Sequence, residues 1–159
     1  MFLRINKALN DRRAGLEHEK GFTLIELLVV VIIIGILAAI AIPVFIGVQN
    51  SAKDSGVKSD VANAKIAVVA YQTDNNGTLP TGLTGLDSYG YTVPSDAAGT
   101  GDAANYKTLP VLTPGATAGA FCIAAVSAND VNFAADDSTG VTGGTCSAAG
   151  VLVPTTPAP

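Results

Sequence analysis

The hydrophobic pattern of this chain changes character once, near residue 50. From Leu27 to Val48 run 22 residues with no charge and no side-chain amide, dominated by valine, isoleucine and leucine. As helix at about 1.5 Å per residue, this run is roughly 33 Å long, enough to cross a bilayer core of about 30 Å. Beyond it the pattern narrows to a stripe. Val57, Val61, Ala64, Val68 and Tyr71 recur at spacings of 4, 3, 4 and 3, the signature of one apolar helix face. Lys53, Asp54, Lys58, Asp60 and Lys65 occupy much of the remaining surface. Together the two patterns predict one helix from about Thr23 to Thr73, roughly 75 Å long if straight. Its first half suits a membrane or a filament stem, and its second half suits the spine of a globular head. Asn75-Asn76-Gly77 followed by Leu79-Pro80 is a strong stop signal.

From Asn75 to Gly119 the chain is rich in Gly, Thr, Ser, Asp and Pro, which predicts loops with short strands at Tyr89–Val93 and Tyr106–Leu112. Ala120–Ser127 and Val131–Ala135 read as two strands joined through Ala128-Asn129-Asp130, a hairpin. Cys146 follows the turn Asp137-Ser138-Thr139-Gly140 and the pair Gly143-Gly144, so it is expected in a loop. The tail Val153–Pro159 is expected to be extended and solvent-facing. The fold class is α+β, a long N-terminal α-helix packed on a small antiparallel β-sheet.

Charge orients this arrangement. Residues 1–21 carry five cations, Arg4, Lys7, Arg12, Arg13 and Lys20, against three acids, a net of +2. The rest carries four lysines against ten acids, a net of −6. A basic flank before the span and an acidic body after it place the amino end in the cytoplasm and the body outside. The acidic body also argues against a general electrostatic grip on nucleic acid, which needs clustered Lys and Arg. The single histidine, His18, lies ahead of the span, so the body has no histidine for a base, a triad or a zinc site. Two cysteines, Cys122 and Cys146, both fall on the outer side. In an oxidising compartment they read as one disulfide, with two buried free thiols as the alternative.

Glu26 is the anomaly. A carboxylate inside such a segment costs on the order of 2.5–3.5 kcal/mol on insertion scales, so it marks a functional hypothesis. An ordinary cleaved signal peptide would use Ala39-Ile40-Ala41 as its small-x-small site before Ile42. Glu26 is a poor residue for the core of such a signal, and apolar character continues through Pro43, Val44, Phe45, Ile46 and Val48. An uncleaved signal anchor leaves Glu26 without a role.

Gly21–Pro43 reads GFTLIELLVVVIIIGILAAIAIP. This segment, with its polar leader, Gly-Phe junction, glutamate five residues past Gly21 and terminal proline, resembles the leader junction and first helix of type IV pilins and pseudopilins. The resemblance covers about 25 contiguous residues. It implies a leader of residues 1–21 that a prepilin peptidase removes by cutting between Gly21 and Phe22, followed by N-methylation of Phe22. It further implies a transmembrane and polymerisation helix over residues 22–50, and an extracytoplasmic head over 51–159 that includes the second half of the helix.

Phe22 and Glu26 are the implied assembly pair. The Phe22 ammonium and the Glu26 carboxylate both lie near the positive end of the helix, which favours the carboxylate and disfavours the ammonium. In a polymer that excludes water, the Glu26 of one subunit needs a partner, and the resemblance supplies the Phe22 ammonium of a neighbour. Gly35 and Pro43 are the candidate helix breaks: composition alone fits a plain kink equally well, and the resemblance to pilins implies that the segment between them melts in a filament. The implied partners are identical subunits in a homopolymer, the peptidase, an inner-membrane assembly platform with a cytoplasmic ATPase, and lipid before assembly. The implied place is a single-pass membrane protein that becomes an extracellular pilus or a periplasmic pseudopilus.

With no histidine in the body and no catalytic constellation, phosphate loop or metal-ligand spacing, no cofactor and no catalysis are expected. The resemblance matches the Cys122–Cys146 region to the disulfide-bounded carboxy-terminal region of many pilins. A surface pilus serving adhesion, twitching motility or DNA uptake is the leading function. The major pseudopilin of a type II secretion or competence apparatus is the alternative, and a membrane-anchored enzyme is disfavoured. Asp136-Asp137-Ser138 reads as an acidic turn rather than a calcium site, so no metal is assigned. Asn76-Gly77-Thr78 matches a glycosylation sequon, a match that in a bacterial context carries little weight by itself.

Overall fold

The computed structural model describes residues 21–95 and 102–155. It opens with α1, Leu24–Asp74, an α-helix of 51 residues. The polypeptide divides after Phe45 into two units. In the first unit, every residue from Gly21 to Phe45 is exposed except the half-buried Ala38. The helix runs through both Gly35 and Pro43. Pro43 has no N–H, so the carbonyl of Ala39 loses its ordinary partner there.

The second unit, from Ile46 onward, holds the rest of α1 and the head. Of the stripe expected from the spacing, Val57, Val61, Ala64 and Val68 are fully buried and Tyr71 is half-buried against them, and Ala67 joins the buried set. The helix ends where the Asn-Asn-Gly signal stands. The Gly77 N–H donates to the Gln72 carbonyl at 2.8 Å and the Asn75 N–H to Tyr71 at 3.0 Å. Asn76 and Gly77 hold φ of 54° and 82°, the left-handed conformation that closes a helix while satisfying its last carbonyls.

The strand expected at Tyr89–Val93 is absent. Asp87–Tyr89 is a 3₁₀ turn, and the Leu86 carbonyl accepts from both Tyr89 and Tyr91. Gly90 holds φ 83°, so the chain reverses and delivers its aromatics to the core from a turn. Tyr91 is buried, and Tyr89 meets Tyr71 edge-on at 5.5 Å. Tyr89, Tyr91 and Val93 alternate as in a strand, but local carbonyl capture organises them differently.

A second 3₁₀ turn, Asp102–Asn105, leads into a five-stranded antiparallel meander. Its strands, in spatial as well as chain order, are β1 (Tyr106–Pro114), β2 (Phe121–Ser127), β3 (Asn132–Asp136), β4 (Thr142–Cys146) and β5 (Leu152–Pro154). Pro110 sits within β1, an edge strand, where a missing N–H costs no ladder bond on the open side. The β2–β3 hairpin turns at Ala128-Asn129-Asp130 as expected, with Asp130 at φ 63°. Phe121, Ile123 and Ala125 from β2 and Ala135 from β3 share one buried cluster with the α1 stripe.

The carboxy-terminal region is more ordered than its glycines suggest. Cys146 ends a strand rather than lying in a loop, because β4 pairs with β3 through Phe133 opposite Gly143 and with β5 through Cys146 opposite Leu152. A Cβ on Gly144 would lie 2.8 Å from the Val153 carbonyl, so glycine is what lets β5 approach. The Cys122–Cys146 disulfide, with Cα atoms 5.8 Å apart, therefore joins β2 to β4 across β3. Tail residues past Thr155 lie outside the described residues.

Two turns fix the sheet's ends. Between β3 and β4, Asp136 Oδ1 accepts from the backbone N–H and the hydroxyl of both Ser138 and Thr139. This is a side chain closing its own turn, and it accounts for Asp136 of the acidic pair. Between β4 and β5, Gly150 holds φ 67°, and a Cβ there would lie 2.5 Å from Gly115 Cα in the β1–β2 turn.

Gly150→Ala is expected to cost more than about 1 kcal/mol, from the left-handed backbone alone, and to lower the thermal midpoint of the head. An unchanged midpoint would remove the close approach from the account. The second expectation concerns pH. Slight burial works to raise the Asp136 carboxyl, and the hydrogen bonds from Thr139 and Ser138 outweigh it, holding it at about 2. A depressed carboxyl contributes stability above its unfolded value of about 3.9 and loses it as pH falls through the folded value. Acid titration of stability between pH about 4 and about 2 should therefore be steeper for wild type than for Asp136→Asn. Equal slopes would contradict this.

Candidate functional site

The first turn of α1 carries the chemistry that the apolar run lacks. Gly21, Phe22 and Thr23 precede the helix, and Thr23 is its cap: its Oγ1 accepts from the Glu26 N–H at 3.2 Å. The Thr23 carbonyl accepts from the Leu27 N–H at 3.2 Å, the first full helical bond. Thr23-x-x-Glu26 is the sequence form of a capping box, and Phe22 and Leu27 stand at the two positions of a hydrophobic staple. Thr23 is a site residue that stripe and span reasoning misses, and this four-residue spacing is the signal that finds it.

Glu26 is thus placed in the first turn, where free N–H groups and the helix dipole favour a negative charge. It is the one ionisable side chain between Phe22 and Asn50. The surfaces beside it are apolar and unpartnered. Phe22 is 83% exposed and Leu24 82%, and the large side chains from Ile25 to Val48 are roughly half exposed or more. A helix apolar on every side needs lipid or other helices around it. Phe22 and Glu26 lie together at the start of α1, whereas Gly35 and Pro43 sit farther along the same exposed run. A Cβ on Gly35 would meet nothing within 4 Å.

The head presents a different kind of site, made of braces between α1 and the sheet. Asp60 Oδ2 accepts from the Tyr106 hydroxyl at 2.7 Å and from the Tyr91 hydroxyl at 3.3 Å. Burial first, and then the Asp60 carboxylate, push the Tyr91 phenol well above its ordinary value, so it stays a donor. Asn129, at the hairpin tip, donates to the Asn50 carbonyl and to Asp54 Oδ1, each at 3.0 Å. Lys65 donates to the Thr139 carbonyl at 2.8 Å. Charge alone placed Asp54, Asp60 and Lys65 on a solvated surface. Asp60 lies three residues after Val57 and four before Ala64, so the same spacing that finds the stripe puts it on the stripe's edge. Among the described residues, no group of three or more His, Cys, Asp or Glu side chains is placed to hold a metal.

Residues 18–42 match the family model described as the prokaryotic N-terminal methylation motif. The chain is similar to type II secretion system core protein G of Aeromonas hydrophila, 39% identical over 71 residues, covering 45% of this chain and 49% of that protein. It is also similar to type IV major pilin protein PilA of Myxococcus xanthus, 39% identical over 107 residues, covering 62% of this chain and 47% of that protein. Competence protein ComGC of Halalkalibacterium halodurans is 38% identical over 74 residues, covering 46% of this chain and 72% of that protein. The chain thus spans about half the length of the first two of these relatives and nearly three quarters of the third. No solved structure matches it. A capped, all-round apolar helix with one acid in its first turn, a sheet packed on the second half of that helix, and these similarities together place the chain in the type IV pilin-like family of prepilins that carry the N-terminal methylation motif.

Proposed function

We propose that this chain is the structural subunit of a type IV pilus filament, held in the membrane by α1 before assembly and polymerised through it afterwards. The observation that carries the reading is the exposed, all-round apolar half of α1 with its single carboxylate in the first turn. Lipid tails are about as apolar as leucine, so moving such a helix from bilayer to filament core gains little hydrophobic energy. Packing and charge pairing then decide where it resides. Cleavage between Gly21 and Phe22 frees an amine whose own helix disfavours it, while Glu26 of a neighbour offers the counter-charge. A buried carboxylate without that partner is strongly penalised, which selects subunit register.

The remaining parts follow from this role. A prepilin peptidase removes residues 1–21 and Phe22 becomes N-methylated. An inner-membrane platform and a cytoplasmic ATPase drive the near-neutral transfer of identical subunits. Gly35 to Pro43, helical in the single chain, is the segment that unwinds in the filament, because Pro43 already leaves the Ala39 carbonyl unpaired. The head stands outside the cytoplasm, in the oxidising compartment that its disulfide suits. The role is structural rather than catalytic. A second reading, the major pseudopilin of a secretion or competence apparatus, is favoured by the similarity to core protein G and to ComGC. Immunolabelled fibres on the cell surface support the pilus, and polymers confined to the envelope support the pseudopilus.

Intact-mass analysis of the mature protein should give a chain that starts at Phe22 and is heavier by one methyl group. A start at Ile42 would indicate ordinary secretion and end this reading. Glu26→Ala should leave the protein in the membrane fraction while filament yield drops by about tenfold or more, the equivalent of losing at least about 1.4 kcal/mol of pairing. Wild-type filament yield from that variant would sink the pairing role.

A further inference from the structure

Asn76-Gly77-Thr78 plays no part in assembly through α1, yet the structure places it where a modifying enzyme reaches it. Asn76 directly follows the last turn of α1, and its side chain is exposed and makes no hydrogen bond to any described residue. Thr78 and Asp74 are exposed as well. The local backbone is held by Gly77 N–H to Gln72 and Thr78 N–H to Asn75, bonds that use neither the Asn76 amide nor the Thr78 hydroxyl. A group added at Asn76 therefore leaves the helix cap intact. Beside Asn76 lies a shallow open groove of about 580 Å³, walled by Val69, Gln72, Thr73, Ala118 and Gly119. It has room for the first sugar of an attached glycan along the surface of the head.

We propose that Asn76 is an acceptor for an N-linked glycan, transferred from a polyprenyl-diphosphate-linked oligosaccharide on the outer side of the membrane. This rests on the reading that the head is exported. In the transfer, Asn76 Nδ2 bonds to the anomeric carbon of the donor sugar and the sugar–phosphate C–O bond breaks. Polyprenyl diphosphate leaves with the bonding pair, and the amide gives up one of its two protons. Thr78 supplies the hydroxyl that the Asn-x-Thr acceptor pattern requires for recognition. Asp74, two residues upstream, adds a negative charge that a transferase with a cationic peptide groove selects.

The test uses the full chain in cells that carry an extracytoplasmic oligosaccharyltransferase and its lipid-linked donor, with a standard acceptor peptide glycosylated in the same cells. The peptides containing Asn76 and the Cys122–Cys146 bond are then analysed by mass spectrometry. Expected is a glycan on Asn76 that falls below detection in Thr78→Ala, a variant outside the helix, and drops in Asp74→Ala. An unmodified or merely deamidated Asn76 alongside a formed disulfide overturns the proposal while leaving export standing. An unmodified Asn76 with both thiols free overturns the proposal and the exported head together.

Discussion

The head is ordered by one packing event, the seating of the stripe Val57, Val61, Ala64 and Val68 among Phe121, Ile123, Ala125 and Ala135, and the rest of the fold is arranged to make that seating possible. Each buried valine or larger side chain contributes roughly 1.5–3 kcal/mol, so a few such residues decide the stability of a core this small. A helix offers only a narrow stripe, and a sheet must bring a flat apolar face to it. Strand β2 does so with Phe121, Ile123 and Ala125 at alternate positions, flanked on both sides by its neighbours in the meander. Small residues elsewhere in the sheet, such as Gly144 and Ala134, keep the other strands close.

Around that core the polar side chains act as braces. Asp60 gathers two tyrosine hydroxyls from separate segments, Asn129 ties the hairpin tip to α1 at Asn50 and Asp54, and Lys65 ties the Asp136 turn to α1 at Thr139. Each fixes a loop that has little apolar surface of its own. The Cys122–Cys146 bond closes a loop of about 25 residues, worth roughly 3–4 kcal/mol in the chain-entropy model. It spans β3, so it restrains three strands at once.

The helix α1 was legible in the sequence because its signal is periodic and long. The stripe spacing gave the buried residues of α1, and the Asn-Asn-Gly stop gave its end within a residue. The β2–β3 hairpin was legible for a similar reason, since two apolar runs flank a polar turn. What escaped was structure made by single residues in special conformations. Tyr89–Val93 alternates like a strand, but Gly90 at positive φ and the doubly used Leu86 carbonyl turn it into a loop. The strands β4 and β5 contain glycine or are short, so their pairing comes from close backbone approach rather than from side-chain pattern. At the candidate site, Glu26 was conspicuous as a lone charge. Thr23 was hidden because a cap is read from spacing to its partner, not from polarity.

On the proposed role, the same helix satisfies two incompatible demands, and the division of its sequence suits both. A surface that packs a specific head needs a stripe bounded by polar residues, so that only one register buries it. A surface that exchanges lipid for other helices must be apolar on every side, which leaves hydrophobicity unable to specify register. On the proposed role, the second demand needs specificity from another source, and Glu26 is the one ionisable group that the run offers for it. Placing Glu26 in the first turn makes a carboxylate tolerable, because the free N–H groups and dipole of that end favour it. The same charge deeper in the run, past Leu28 for example, would have neither the helix end nor the interface to stabilise it. The position of the acid, at the junction between cap and apolar run, is thus dictated as firmly as its identity.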